Sequence, residues 1–123
     1  MKEKKYFEVM TFKVCLELRD DVPKDFAEKA VGGVYDLPDD NMVFRMWFNT
    51  SNGTPGLRII SHECWHLFMT IMNYIDKHEH TFEELNNEIY AYNFHKLFND
   101  VIGNMFNMKM YQKALAEEEA EDD

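Results

Sequence analysis

Ile59-Ile60-Ser61-His62-Glu63-Cys64-Trp65-His66-Leu67-Phe68 is the stretch on which the fold turns. It reads as the middle of a helix that Thr54-Pro55 starts and that runs from about Pro55 to Lys77. Leu57, Ile60, Cys64, Leu67, Phe68, Ile71 and Ile75 cluster on one side of that helix. His62, His66, Thr70 and Asn73 fall on nearly the opposite side. The helix would bury one face in a core and turn both histidines toward a cleft.

Residues four apart share a helix face, so the two imidazoles can reach one ion. Zinc takes about four tetrahedral ligands, and imidazole nitrogen suits it. Glu63 is rotated about 100° around the axis from His62. There it can face a metal-bound water without ligating the metal, as a general base must. His62 and His66 are therefore the candidate zinc ligands and Glu63 the candidate catalytic base. Cys64 falls on the core face and reads as packing rather than as a nucleophile.

A third ligand is needed, and the next helix offers one. Thr81 and Glu84 form a Thr-x-x-Glu capping box that starts it, and it should end near Gly103. On it Glu88, Tyr92, His95 and Asn99 form one polar stripe flanked by Leu85, Ala91, Phe98 and Ile102. A carboxylate in such surroundings needs a partner, and a zinc ion would be one. Glu88 is the first candidate and His95 its main rival. His78, Glu79 and His80 form a weaker cluster, read as a solvated helix end.

Outward from these helices the pattern changes. Met10, Phe12, Val14, Leu16 and Leu18 alternate with polar residues, which predicts a strand with one buried face. Asp20 and Asp21 end it. Pro23 is placed to open a short helix that buries Phe26, Ala27, Ala30 and Val31 and stops at Gly32-Gly33. Pro38-Asp39-Asp40-Asn41 is turn chemistry between Val34–Leu37 and Met42–Phe48, a hairpin. Asn49–Gly56 is a loop. Over residues 104–116 Phe106, Met108 and Met110 alternate, yet Met, Lys, Gln, Ala and Leu favour the helix that we expect there. The nine methionines read as adaptable core filling. The fold expected is α+β: a small antiparallel or mixed sheet packed on a two-helix core.

Length and composition bound what this core can serve. The 123 residues suit a single domain, and 46% hydrophobic residues suffice for one core. The net charge is −10, which opposes nucleic acid and anionic lipid as partners. Six of the acids lie in Glu117–Asp123; without them 1–116 stands at −4. We expect a domain over 1–116 and a disordered acidic tail over 117–123. No stretch approaches the roughly 18 apolar residues that span a bilayer. Cys15 and Cys64 show no paired spacing. A cytoplasmic protein with reduced thiols is the expectation.

With these residues in place the chain resembles the zincin metallopeptidases. The likeness covers about 59–95: His62-Glu63-x-x-His66 and, more loosely, Asn87-Glu88-x-x-Ala91-Tyr92, which is similar to the Glu-bearing helix of the gluzincin branch. The chain also looks like short His-Glu-x-x-His proteins of phages and mobile elements. Met69 to Asn73 hold neither the Gly nor the third His of the metzincin branch. The resemblance implies a zincin-like core, with His62, His66 and Glu88 as zinc ligands and Glu63 as base and proton shuttle. It implies that Tyr92 or His95 stabilises the oxyanion or orients Glu88 or a histidine. It further implies that Met42–Phe48 lines the cleft as an edge for an extended substrate. Val43, Arg45 and Trp47 would then face the substrate, although Trp47 reads equally as a half-buried sheet residue. The function expected is zinc-dependent hydrolysis of a peptide or protein substrate. The alternative is a non-catalytic, metal-containing binding or accessory protein of phage type that modulates its host.

Overall fold

The alternation over Phe12–Arg19 does form a strand, β2, but a second strand precedes it. β1, Lys2–Val9, pairs antiparallel with β2 in the register Val9↔Phe12 to Lys2↔Arg19. The turn between them is Met10-Thr11, with φ of 48° and 71°. Both residues stand in the left-handed region, as a tight two-residue hairpin requires. That region is disfavoured for a side chain with a Cβ, most of all a branched one. Tight hairpins normally put Asn-Gly there, so nothing in Met-Thr announces a turn.

The computed structural model describes the backbone of residues 1–79 and 87–121, and the side chains of 1–75 and 91–121. The fold is α+β. Two further strands, β3 (Gly32–Val34) and β4 (Val43–Asn49), complete a four-stranded mixed sheet in the order β1-β2-β4-β3. β2 and β4 are parallel; β3 and β4 are antiparallel. The expected hairpin around Pro38–Asn41 is present, but its first strand is Gly32–Val34 rather than Val34–Leu37, which leaves 35–42 as the connection. Asp39 accepts hydrogen bonds from the Asn41 and Val43 amides at 2.9 and 3.0 Å, which holds its carboxyl below the usual range.

Three expectations need correction. Residues 23–31 form turns, not a helix, tied by Phe26 N–H to Pro23 O and Ala30 N–H to Ala27 O. The Phe26 ring instead packs edge-on against Trp47 and Tyr35, each centroid 5.1 Å away. Second, Gly32-Gly33 is strand rather than helix stop. A Cβ on Gly33 would stand 2.5 Å from Phe26 and 2.7 Å from Trp47 Nε1, so a bare backbone is what lets the ring lie there. Third, β4 is no edge. It lies between β2 and β3, and Trp47 is buried.

Three helices cover one face of the sheet. α1 (Leu57–Glu79) lies over β3 and β4, α2 (Asn87–Phe106) reaches β1, and α3 (Lys109–Glu121) reaches β2. Thr81 and Glu84 lie outside the described residues. Ile60, Cys64, Leu67, Phe68 and Ile71 of α1 meet Phe44, Met46 and Phe48 in the core, with Leu97, Val101 and Met105 from α2. Leu57, expected inside, is exposed at the helix start. Tyr74, near the end of α1, packs on Phe44 at the start of β4, so α1 runs antiparallel to β4.

α2 continues past Gly103 to Phe106, and α3 holds the acids expected to be disordered, as far as Glu121. Two distant carboxylates explain that order. Glu3 accepts from the Lys109 and Met110 amides at 3.0 and 2.8 Å, where a helix start favours negative charge. Glu118 accepts from the Thr54 amide and from Thr54 Oγ1, which ties the last helix to the loop before α1.

The opposite sheet face is basic. Lys2 and Lys4 on β1, Lys13 and Arg19 on β2 and Arg45 on β4 share it with Glu8 and Glu17. Among the described residues no helix is long and apolar enough to cross a membrane.

Two measurements check this frame. Thr11→Gly should raise the unfolding free energy by about 1 kcal/mol in urea denaturation, because it relieves a left-handed β-branched residue. Asp39→Ala should lower Tm by a few degrees at neutral pH. The Asp39 carboxyl sits below its ordinary value, so its contribution is present above that value and fades as pH falls through the folded one. The gap between variant and parent should therefore close in acid.

Candidate metal site

Burying Ile60, Cys64, Leu67 and Phe68 leaves His62 and His66 on the outer face of α1, and both are exposed. Their Nε2 atoms stand 3.1 Å apart, with the rings edge-on. Two nitrogens bound tetrahedrally at about 2.05 Å to one zinc would be roughly 3.3 Å apart. The pair thus fits two of an ion's ligand positions.

Glu63 projects to the β3 flank of α1, and Trp65 to the other. Trp65 meets Phe94 of α2 at 5.4 Å between centroids, and Phe68 stacks on the same ring at 5.8 Å. Glu63 is buried and lines a groove of about 420 Å³ with Val31, Arg58, Ile59, Ser61 and His62. Burial pushes its carboxyl up, against a smaller downward pull from His66 and His62. A carboxyl held above its ordinary value beside two imidazoles is better suited to accepting a proton near neutrality than a solvated one.

Arg58 and Ser61 were not among the residues singled out from the sequence. The signal for Arg58 existed: it is four residues before His62 on the same face.

Beside β3 the groove meets an edge. Asn49 N–H bonds to Val31 O and Tyr35 N–H to Arg45 O, so residues 31, 33 and 35 turn their backbone groups toward β4. By alternation Gly32 and Val34 turn theirs outward. The free edge near the histidines is therefore β3, not Met42–Phe48, and Val43, Arg45 and Trp47 lie on the sheet face away from the helices.

Of the stripe on the second helix, Tyr92, His95 and Asn99 have described side chains. No group of three or more His, Cys, Asp or Glu able to hold a metal ion is formed among the described residues. His95 is exposed and does not join the pair. Tyr92 is 70% exposed and lines a small cavity with Val9 and Met10, beside the β1–β2 turn. The side chains of Glu88, His78, Glu79 and His80 lie outside the described residues. The backbone of Glu88 does not: it is six residues before Phe94, about 9 Å back along α2 from the level of Trp65.

Cys64 is fully buried, and burial pushes its thiol up to about 12. It should stay unmodified by iodoacetamide at pH 8 in the folded chain and react in urea, as peptide mass spectrometry would show. Rapid labelling in the native state would mean that α1 does not bury this face. No family model, curated protein or solved structure matches the chain, so the placement of these side chains is what a functional reading rests on.

Proposed function

We propose that the chain is a zinc-dependent metallopeptidase with a zincin-like core, His62 and His66 holding the ion and Glu63 acting as base. The observation that carries this reading is the pair of Nε2 atoms at 3.1 Å on one exposed face, with a buried carboxyl at the intervening position. Zinc, when bound, supplies a Lewis acid for a carbonyl and lowers the pKa of water. Glu63 is placed to accept a proton from an attacking water and would pass it to the leaving amine. An extended peptide lies along the outer edge of β3, its backbone paired to Gly32 and Val34, which brings it past the groove. Glu88 is the third protein ligand of this reading and His95 its rival.

A second reading is a metal-containing binding protein without turnover. It needs only the exposed His62–His66 pair and no role for Glu63.

The test uses purified chain, zinc titration and an unstructured protein substrate. Uptake of about one equivalent of zinc is expected, with His66→Ala weakening it by about a hundredfold or more. Glu63→Gln should keep the zinc and lower cleavage by about a hundredfold or more. Glu88→Gln and His95→Ala, compared by zinc affinity, identify the third ligand. Uptake below about one-tenth of an equivalent rejects the metal site. Zinc binding with no cleavage by the parent chain supports the second reading, and unchanged cleavage by Glu63→Gln removes Glu63 from the chemistry.

A further inference from the structure

The sheet face away from α1 and α2 holds a second cavity, of about 140 Å³, lined in part by Lys4, Glu17, Arg19, Arg45 and Trp47. Its single carboxylate is already committed: Glu17 lies 2.8 Å from Arg19 Nη1 and 3.8 Å from Lys4 Nζ. Arg19 is further satisfied by Asp21, which accepts from Nε at 2.7 Å.

Arg45 has no such partner. It belongs to no ion pair among the described residues, and its guanidinium lies 4.0 Å from the centroid of Tyr35. That contact orients the guanidinium plane and offers no acceptor. Arg45 Nε is buried without a hydrogen-bond partner among the described residues, and so is Trp47 Nε1, two residues along the same strand face. Buried donors are almost always satisfied, and a guanidinium is best satisfied by a planar pair of oxygens.

We propose that this cavity binds a small oxyanion, a carboxylate or phosphate group, gripped by Arg45 with Lys4 at the mouth. The volume suits it: a cavity of roughly 150 Å³ holds a benzene ring. The partner is a single small group rather than a polyanion, because the net charge of −10 repels an extended one. The site is independent of the zinc reading, since α1 lies on the other side of the sheet.

The full chain, labelled with ¹⁵N, is titrated with sodium acetate and separately with sodium phosphate, chloride holding the ionic strength constant. The Arg45 Nε–H and Trp47 indole resonances should shift saturably, with a midpoint of about 10 mM or lower for at least one anion. The Trp65 indole, on the helical side, should not move. A response to acetate alone assigns a carboxylate ligand, and one to phosphate alone a phosphate group. Arg45→Met keeps the stem against Tyr35 and should raise the midpoint read at Trp47 by about tenfold or more. If Arg45→Met loses its dispersed spectrum, Arg45→Lys takes its place, and loss of the paired donors should still weaken binding by about threefold or more. The absence of a saturable shift with both anions overturns the proposal, as does an unchanged midpoint in the folded variant.

Discussion

A helix that buries Ile60, Cys64, Leu67, Phe68 and Ile71 has no freedom over residues 62 and 66. At 3.6 residues per turn they must stand outside, one turn apart, over each other. The core sets the histidine pair, and the sheet beneath sets the core. Phe44, Met46 and Phe48 of β4 present the surface on which α1 rests, and β4 is fixed by partners on both sides. Fully burying one such side chain contributes about 1.5–3 kcal/mol. The cluster thus outweighs any local preference of the exposed residues it carries.

The two sheet faces solve different problems. One is sealed by three helices and is apolar. Among the described residues the other has the 20–31 segment, which lays Phe26 across Trp47 and Tyr35 and leaves a cavity beside them. Leaving a buried donor unmet costs about 1–3 kcal/mol, and Arg45 and Trp47 present two. The acids are mostly elsewhere, and two of them are structural: Glu3 meets the first amides of α3, and Glu118 anchors the same helix to Thr54. A charge of −10 is therefore not spread evenly, and the basic face exists against the overall balance.

What could be read in advance depended on whether a signal was local. The alternation of Val14, Leu16 and Leu18, the Pro38–Asn41 turn and the face of α1 are patterns within one element, and each is present. β1 was hidden because Met10-Thr11 carries no turn chemistry and Lys2–Val9 is too polar to announce a buried face. The helix expected over 23–31 failed because Phe26 packs across the sheet, a preference that no spacing records. Strand order is equally non-local: Met42–Phe48 looks like an edge until β2 is found beside it. The helix over Glu117–Glu121 is non-local too, since Glu118 and Thr54 are 64 residues apart. In the site, the histidine pair and the burial of Cys64 were legible. Arg58 was legible by spacing but unremarked, and the level of Glu88 along α2 depends on Phe94 meeting Trp65.

The unequal burial within the site bears on its chemistry. His62 and His66 are exposed. Glu63 is different: it is buried beside them, with its carboxyl pushed up, and no hydrogen bond from the described residues compensates it. A side chain there for stability alone would be better as an apolar residue. Burial placed on the carboxyl and exposure placed on the two imidazoles is the distribution that the proposed hydrolysis would use. In that proposal the ligands would have to reach an ion open to solvent, while the base would gain proton affinity from a low-dielectric wall. The groove along Val31 then gives that base an approach from the β3 side, opposite the flank that α2 occupies. On the proposed reading a substrate entering there would meet the outward backbone of Gly32 and Val34 before the histidines, so the edge would order the encounter: pairing first, reaction second.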